Sequence, residues 1–351
     1  MIPAPGPNTL LLQPAQRRLL ILLDPEMGHI TMHLRGLLFQ HSFAAAGWQV
    51  EFVNIREMPL DQIVVKAREF PAVYLLKVCF LRLVRELQQG APDTRIIFDL
   101  TDALWQPFHR ACGWQHLEKI LAAADAIFSE NEFICAYGRQ FARPVYAIPA
   151  CTQVHKFDAL RQTHPARADG QVRMGWMGSN GTTSALRAIS QPFQELFDLH
   201  PQLYLRILGC SDPALLPPLP EGRYSVLAKY DEDTMIRECL DFDIGLFPPP
   251  GDVEDYKVRG ALKGMLYMTA GVPPVCLDAG DCGRIMVDGQ TAMLIGAPEE
   301  WETKLGVLIR DPALRHQMGA AALAAIRQGH TIEAVFAALE SALISVIQTP
   351  K

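Results

Sequence analysis

Arg259 and Lys263 stand four residues apart in YKVRGALKGMLYMTAGVPPV (256–275), the segment of this chain that carries the clearest chemistry. On a helix they share one face, in the first turns, where unpaired backbone N–H groups and the helix dipole already attract anions. Gly271 ends that helix, and VPPV opens a buried strand. Such a helix start suits a diphosphate; two solvated cations on a surface helix is the other reading of the same residues.

A second segment, MGWMGSNGTTS (174–184), ends a strand in a loop where Gly178 and Gly181 permit close backbone approach and Ser179, Thr182 and Thr183 offer hydrogen bonds. It is not GxGxxG and has no P-loop lysine, so the nicotinamide and ATP fingerprints fail. By itself it also reads as a tight turn. Asp241-Phe242-Asp243 has the form of a DxD metal site, yet it stands at a helix end and strand entry, which favours capping, and no metal is expected. Asp99 and Asp102 fall at the carboxyl end of a strand, to meet a ligand or to cap the local turn. His29, after Gly28 in the first strand's exit loop, and His109, after FDLTDALW (98–105), are site residues or ordinary packed or surface histidines. No serine–histidine–aspartate order and no activated cysteine context is evident.

The elements that must hold these residues alternate between short apolar runs and helical patterns. Strands are expected at 18–24, 48–55, 72–78, 95–100, 126–130 and 145–150, and again at 172–178, 203–209, 224–230, 242–250, 273–278 and 292–296. Helices are expected over 184–199, 231–240, 299–309, 312–328 and 332–348, besides the basic helix. Strand–helix–strand repetition predicts an α/β chain of two doubly wound halves, with ligands beyond the strands' carboxyl ends. The expected boundaries are a first domain over 1–155, a polar linker over 156–171 and a second domain over 172–330. The apolar helix in 331–351 must pack back on the first domain to bury its face.

Composition narrows the classes. A net charge of −6 and a pI near 5.9 disfavour broad electrostatic binding to nucleic acid. The eight cysteines are scattered without a CxxC, as in a reduced cytoplasmic protein with no structural zinc. No signal peptide or membrane-spanning segment is recognised.

Taken together, GWMGS, FDIGLFPPP, RGALKGMLYMTAGVPPV, MVDGQTAMLIGAPEEW and LIRDPALRHQMGAAA resemble family-4 glycosyltransferases of the GT-B fold. FDLTDALW and ADAIFSENEFICAYGRQFARPVYAIPA (124–150) extend the resemblance into the first half; it is strongest over 172–325. It implies a nucleoside-diphosphate sugar held by the second domain, an acceptor held by the first, and reaction in the cleft between them. It further implies metal-independent transfer with retention, and no cofactor. Arg259, Lys263 and His29 would carry the chemistry. Gly178, Ser179, Asn180, Tyr230 and Glu254 would contact the donor, and Gly28, Asp99, Asp102 and His109 the acceptor, a small molecule, lipid-linked group or glycan. The chain departs from the family at Val258 and Leu266, where many relatives carry two glutamates, the second directed at the donor ribose. Two rivals remain: a donor-impaired partner protein, which Leu266 favours, and a GT-B enzyme of other chemistry, such as a nucleotide-sugar epimerase.

Overall fold

The computed structural model describes residues 12–13, 16–26, 33–106, 114–249 and 257–350. The chain forms two compact units, residues 1–151 with 332–351, and residues 152–331.

In the first unit, β1 (Arg18–Leu23), β2 (Gln49–Asn54), β3 (Ala72–Leu76), β4 (Arg95–Leu100), β5 (Ala126–Ser129) and β6 (Val145–Ala147) make one sheet in the order β2-β1-β3-β4-β5-β6. Every pairing is parallel. A parallel sheet is covered on both faces, so its inner strands read as unbroken apolar runs, as RLLILL does in β1. Leu20 and Leu22 enter one core layer with Ile63, Val64, Leu83 and Leu87. Leu19, Ile21 and Leu23 enter the other with Phe39, Phe43 and the last helix, Ile332–Gln348.

That helix belongs to the first unit's core. Val335, Phe336, Leu339 and Leu343 are buried in the second layer, and Phe336 meets Phe43 edge-on with ring centroids 5.0 Å apart. Trp48 Nε1 donates to Glu340 Oε1 at 2.9 Å. The return is possible because the chain enters and leaves the second unit side by side, Thr152 N donating to His330 O at 2.9 Å.

In the second unit, β7 (Val172–Met177), β8 (Leu203–Leu208), β9 (Tyr224–Leu227), β10 (Ile244–Phe247), β11 (Pro274–Leu277) and β12 (Met293–Ile295) are ordered β12-β11-β10-β7-β8-β9, again all parallel. Strand order reverses between β1 and β3 in the first sheet and between β7 and β10 in the second. Those are the points where open α/β sheets bind ligands.

Three expectations need correction. The stretch expected as a linker holds the helix Val154–Thr163, which buries only Phe157 and so left little periodicity to read. The helix expected over 184–199 is two, Ser184–Ala188 and Ser190–Leu199, because the Pro192 ring excludes the carbonyl of Ala188 from a continuous helix. The basic helix begins at Leu262 rather than near Tyr256, with Gly260, a poor helix former, just before it.

Phe336→Ala should destabilise the first unit by about 3–5 kcal/mol, the scale for emptying a packed phenylalanine site. Chemical denaturation of the full chain measures this, and a loss below about 1 kcal/mol would show that the returning helix contributes little.

Candidate functional site

The second sheet's reversal point is held open by a tyrosine. β10 and β7 pair from Ile244↔Met174 to Leu246↔Trp176. At the end of that ladder the Tyr267 hydroxyl accepts from Met177 N at 3.2 Å and donates to Leu246 O at 3.1 Å. Tyr267 belongs to the helix Leu262–Ala270, so one fully buried side chain pins that helix to both strand ends. Glycine makes room for it: a Cβ on Gly245 would lie 2.3 Å from the Tyr267 ring, and one on Gly175 would lie 2.0 Å from the ring of Phe242.

Lys263 is the second residue of this helix, whose N-cap, Ala261, supplies no side-chain cap. Its Nζ lies 5.7 Å from the Trp176 ring centroid and 5.9 Å from that of Phe247. Two aromatic faces partly compensate an ammonium withdrawn from water. Among the described residues no carboxylate and no hydrogen-bond acceptor pairs with it. Burial, then repulsion from Arg259, pulls its pKa down to about 8. The expectation of two cations on one helical face is corrected: Arg259 is exposed in the bend before the helix, within electrostatic reach of Lys263.

The glycine loop meets the same indole. A Cβ on Gly178 would fall 2.3 Å from the Trp176 ring and 2.6 Å from Thr182 Oγ1, so this position tolerates only glycine without rearrangement. Gly209, at φ +87°, passes so close that a Cβ there would be 2.1 Å from Gly178 O and 3.4 Å from the Tyr230 ring. Gly178, Tyr230 and Lys263 are thus gathered at the ends of β7, β8, β9 and β10. Ser179 N donates to Thr182 Oγ1 at 3.0 Å, closing the turn. Asn180 is exposed, but both ends of its amide engage Ser211, Nδ2 donating to Oγ and Oδ1 accepting from N, each at 2.9 Å. It therefore locks two loops together. Gly28, His29, His109 and Glu254 lie outside the described residues.

Trp176 and Phe247 lie inside expected strands and Tyr267 inside the expected basic helix. Their role follows from three elements meeting, which no local spacing records. Asp241 and Asp243 stand at the opposite, amino end of β10. Asp241 meets His164 at 2.9 Å and Arg173 at 3.4 Å, while Asp243 is paired with Arg167.

In the first unit Asp99 is not at a ligand surface. Its side chain is fully buried and takes Arg35 Nε at 3.1 Å and Arg35 Nη2 at 2.9 Å, with the Tyr74 hydroxyl as a third donor. Arg35 also donates to Ile148 O at 2.5 Å. Burial opposes the guanidinium charge, but Asp99 outweighs it and raises the Arg35 pKa; burial and then Asp99 raise that of Tyr74. The expected acceptor contact at Asp99 is therefore corrected to a core ion pair. Alternation explains it, since Asp99 points from β4 into the layer of Ile97 and Phe128. Asp102, beyond the strand end, is half-exposed and ion-paired with Lys77.

Two outcomes follow. A lysine whose folded pKa lies near 8 binds its proton less tightly than in the unfolded chain, where about 10.4 is usual. Without an anion, stability should therefore rise with pH between those values. Lys263→Met should abolish that increment and melt higher than wild type at pH 7; equal pH slopes in thermal melts of the two proteins would refute this. Asp99→Ala strands a buried guanidinium, so it should cost about 3–5 kcal/mol in chemical denaturation, and a near-neutral result would show that Arg35 reaches water.

No family model matches the chain, and no curated protein matches it in sequence. Solved structures do match over nearly its whole length. HepE of Anabaena, in complex with UDP and glucose, aligns with a TM-score of 0.66 and 14% identity, covering 93% of this chain and 99% of that one. Sucrose-phosphate synthase from Thermosynechococcus elongatus gives 0.69 and 14%, with 93% and 98% covered. A glycosyltransferase from Rickettsia africae ESF-5 gives 0.72 and 8%, with 95% and 99% covered. At such identities the likeness is one of fold, and the chain has the GT-B fold of two doubly wound Rossmann-like units.

Proposed function

We propose that the chain is a retaining glycosyltransferase that moves a sugar from a nucleoside diphosphate to an acceptor hydroxyl without a metal ion. The observation that carries this is the largely desolvated Lys263 ammonium, without a counter-charge among the described residues, at an uncapped helix start beside the Gly178 loop at the sheet's reversal point. An isolated charge in that position is unfavourable until an anion joins it. The UDP and glucose of the HepE structure support a uridine nucleotide as that anion.

In this reading the donor diphosphate lies over Lys263 and the first N–H groups of the helix, with Arg259 closing from the preceding bend. The bond from the sugar's anomeric carbon to the diphosphate oxygen breaks, and negative charge grows on the leaving diphosphate. Cations and N–H groups already aimed there stabilise that charge without reorganising. The acceptor oxygen bonds to the anomeric carbon from the face that the diphosphate leaves, and its proton passes to a departing phosphate oxygen. Tyr230, exposed beside Gly209, borders the same loops and suits contact with the nucleoside.

A second reading, a donor-binding partner protein without transferase activity, is favoured by Val258 and Leu266, where neither side chain can accept from ribose hydroxyls. The two readings separate on turnover, while both require nucleotide binding. UDP should raise the melting temperature of the wild-type chain, since a ligand of the native state stabilises it. Lys263→Ala and Arg259→Ala should each lower transfer or slow donor hydrolysis by about 10²-fold, the scale of one lost charge-stabilising contact. A folded double variant with wild-type turnover would sink the phosphate-site assignment; UDP binding with no turnover on any acceptor would favour the partner protein.

A further inference from the structure

The second unit holds a cluster of sulfur atoms that the sugar-donor chemistry leaves unused. Cys276 stands in β11, Cys282 in the short helix Gly280–Ile285 that follows it, and Met286 at the end of that helix. Met286 N donates to Cys282 O at 3.0 Å, so these two residues lie one helical turn apart on the same side. That side meets the strand: the Cys276 thiol lies 3.5 Å from Met286 Sδ and hydrogen-bonds the Cys282 thiol. All three residues are buried. An inner strand, flanked by β10 and β12, thus brings one sulfur against a helix that returns two. Cys239 Sγ and Met235 Sδ also touch, at 3.7 Å, but as neighbours on one helix they offer only a pair.

The chemistry of the sulfurs selects the ligand. Thiolate and thioether are soft and bind soft ions, not magnesium, calcium or manganese. Zinc takes thiolate, imidazole and carboxylate in a four-coordinate set, and a thioether is not among its usual ligands. Among the described residues no three histidine, cysteine or carboxylate side chains gather in a way that could hold a metal ion. Two thiols and one thioether therefore suit Cu(I). The hydrogen bond to Cys282, and then burial, hold the Cys276 thiol well above the ordinary thiol range, so an ion must displace a firmly held proton, which requires a strongly thiophilic one. Bonds of about 2.3 Å in a trigonal plane set sulfurs about 4.0 Å apart. The 3.5 Å contact needs little opening, and the unbranched methionine side chain can supply it. We propose that Cys276, Cys282 and Met286 form a trigonal site for one Cu(I) ion. On binding, Cu–S bonds form to both cysteine sulfurs as their S–H protons leave to solvent, and a lone pair of Met286 Sδ makes the third bond. Copper stays Cu(I), no group is oxidised or reduced, and the neutral cluster gains one negative charge. Met286 packs on the helix Leu262–Ala270, since a Cβ on Gly264 would fall 2.4 Å from its methyl carbon. The site stands independently of the glycosyltransferase reading.

Competition with bicinchoninate for Cu(I), under nitrogen and with the full chain kept reduced, tests it. The wild type should withhold one Cu(I) per chain from the competitor. Cys276→Ser and Cys282→Ser should each bind it about 10²-fold or more weakly, at least the cost of losing an outer-shell partner of a metal site. Met286→Leu conserves core volume, so it should melt near wild type yet bind Cu(I) about tenfold more weakly. Cys239→Ser should bind like wild type. Copper K-edge X-ray absorption should find three sulfur neighbours in the wild type and fewer in Met286→Leu. Failure to withhold Cu(I), affinity unchanged in Met286→Leu, affinity lost in Cys239→Ser, or nitrogen or oxygen neighbours in the wild type overturns the proposal. Should the serine variants not fold, Met286→Leu decides by itself.

Discussion

The candidate donor site depends on one hydroxyl, that of Tyr267, placed at the end of the β7–β10 ladder. Two parallel strands that bind a ligand at their ends must stop pairing there, and each released backbone group needs another partner. Tyr267 satisfies one such group on each strand, Met177 N and Leu246 O, while its ring lies where Gly245 has no side chain. Because Tyr267 is four residues after Lys263 on the same helix, fixing the tyrosine fixes the position of the ammonium. The Gly178 loop is set against the same Trp176 ring that the ammonium faces, so loop, lysine and strand ends pack together.

The two units treat buried charge in opposite ways. In the first, Arg35 and Asp99 neutralise each other inside the core, with Tyr74 and the Ile148 carbonyl filling further hydrogen-bonding positions. That arrangement is complete and asks for no ligand. In the second, Lys263 has aromatic faces but no counter-charge among the described residues, and burial together with Arg259 lowers its pKa. A completed ion pair reads as architecture, and an incomplete one as a site.

Much of the fold was legible because period and burial agree. The strands expected from apolar runs correspond to β1–β12, since a parallel sheet covered on both faces forces such runs. The returning helix was legible for the same reason: a helix with an apolar face as extensive as that of Ile332–Gln348 needs a core to join. The helix Val154–Thr163 was not, because a helix that buries one phenylalanine leaves no stripe. Asp99 misled because aspartate near a strand end suggests a surface, whereas the face it points to is set by alternation and by Arg35, 64 positions away in sequence.

The sequence by itself determined the strand–helix alternation, the two-unit α/β class, the glycine loop and the lysine at a helix start, all of which are local patterns of residue type and spacing. Only the tertiary structure decided which charges are paired, which aromatic rings face Lys263, and that Lys77 meets Asp102. Those facts depend on side chains converging from strands and helices far apart in the chain, and on the burial that makes an unpaired charge costly. Local sequence can name the groups able to do chemistry; the packing around them decides which remain unsatisfied and therefore able to bind.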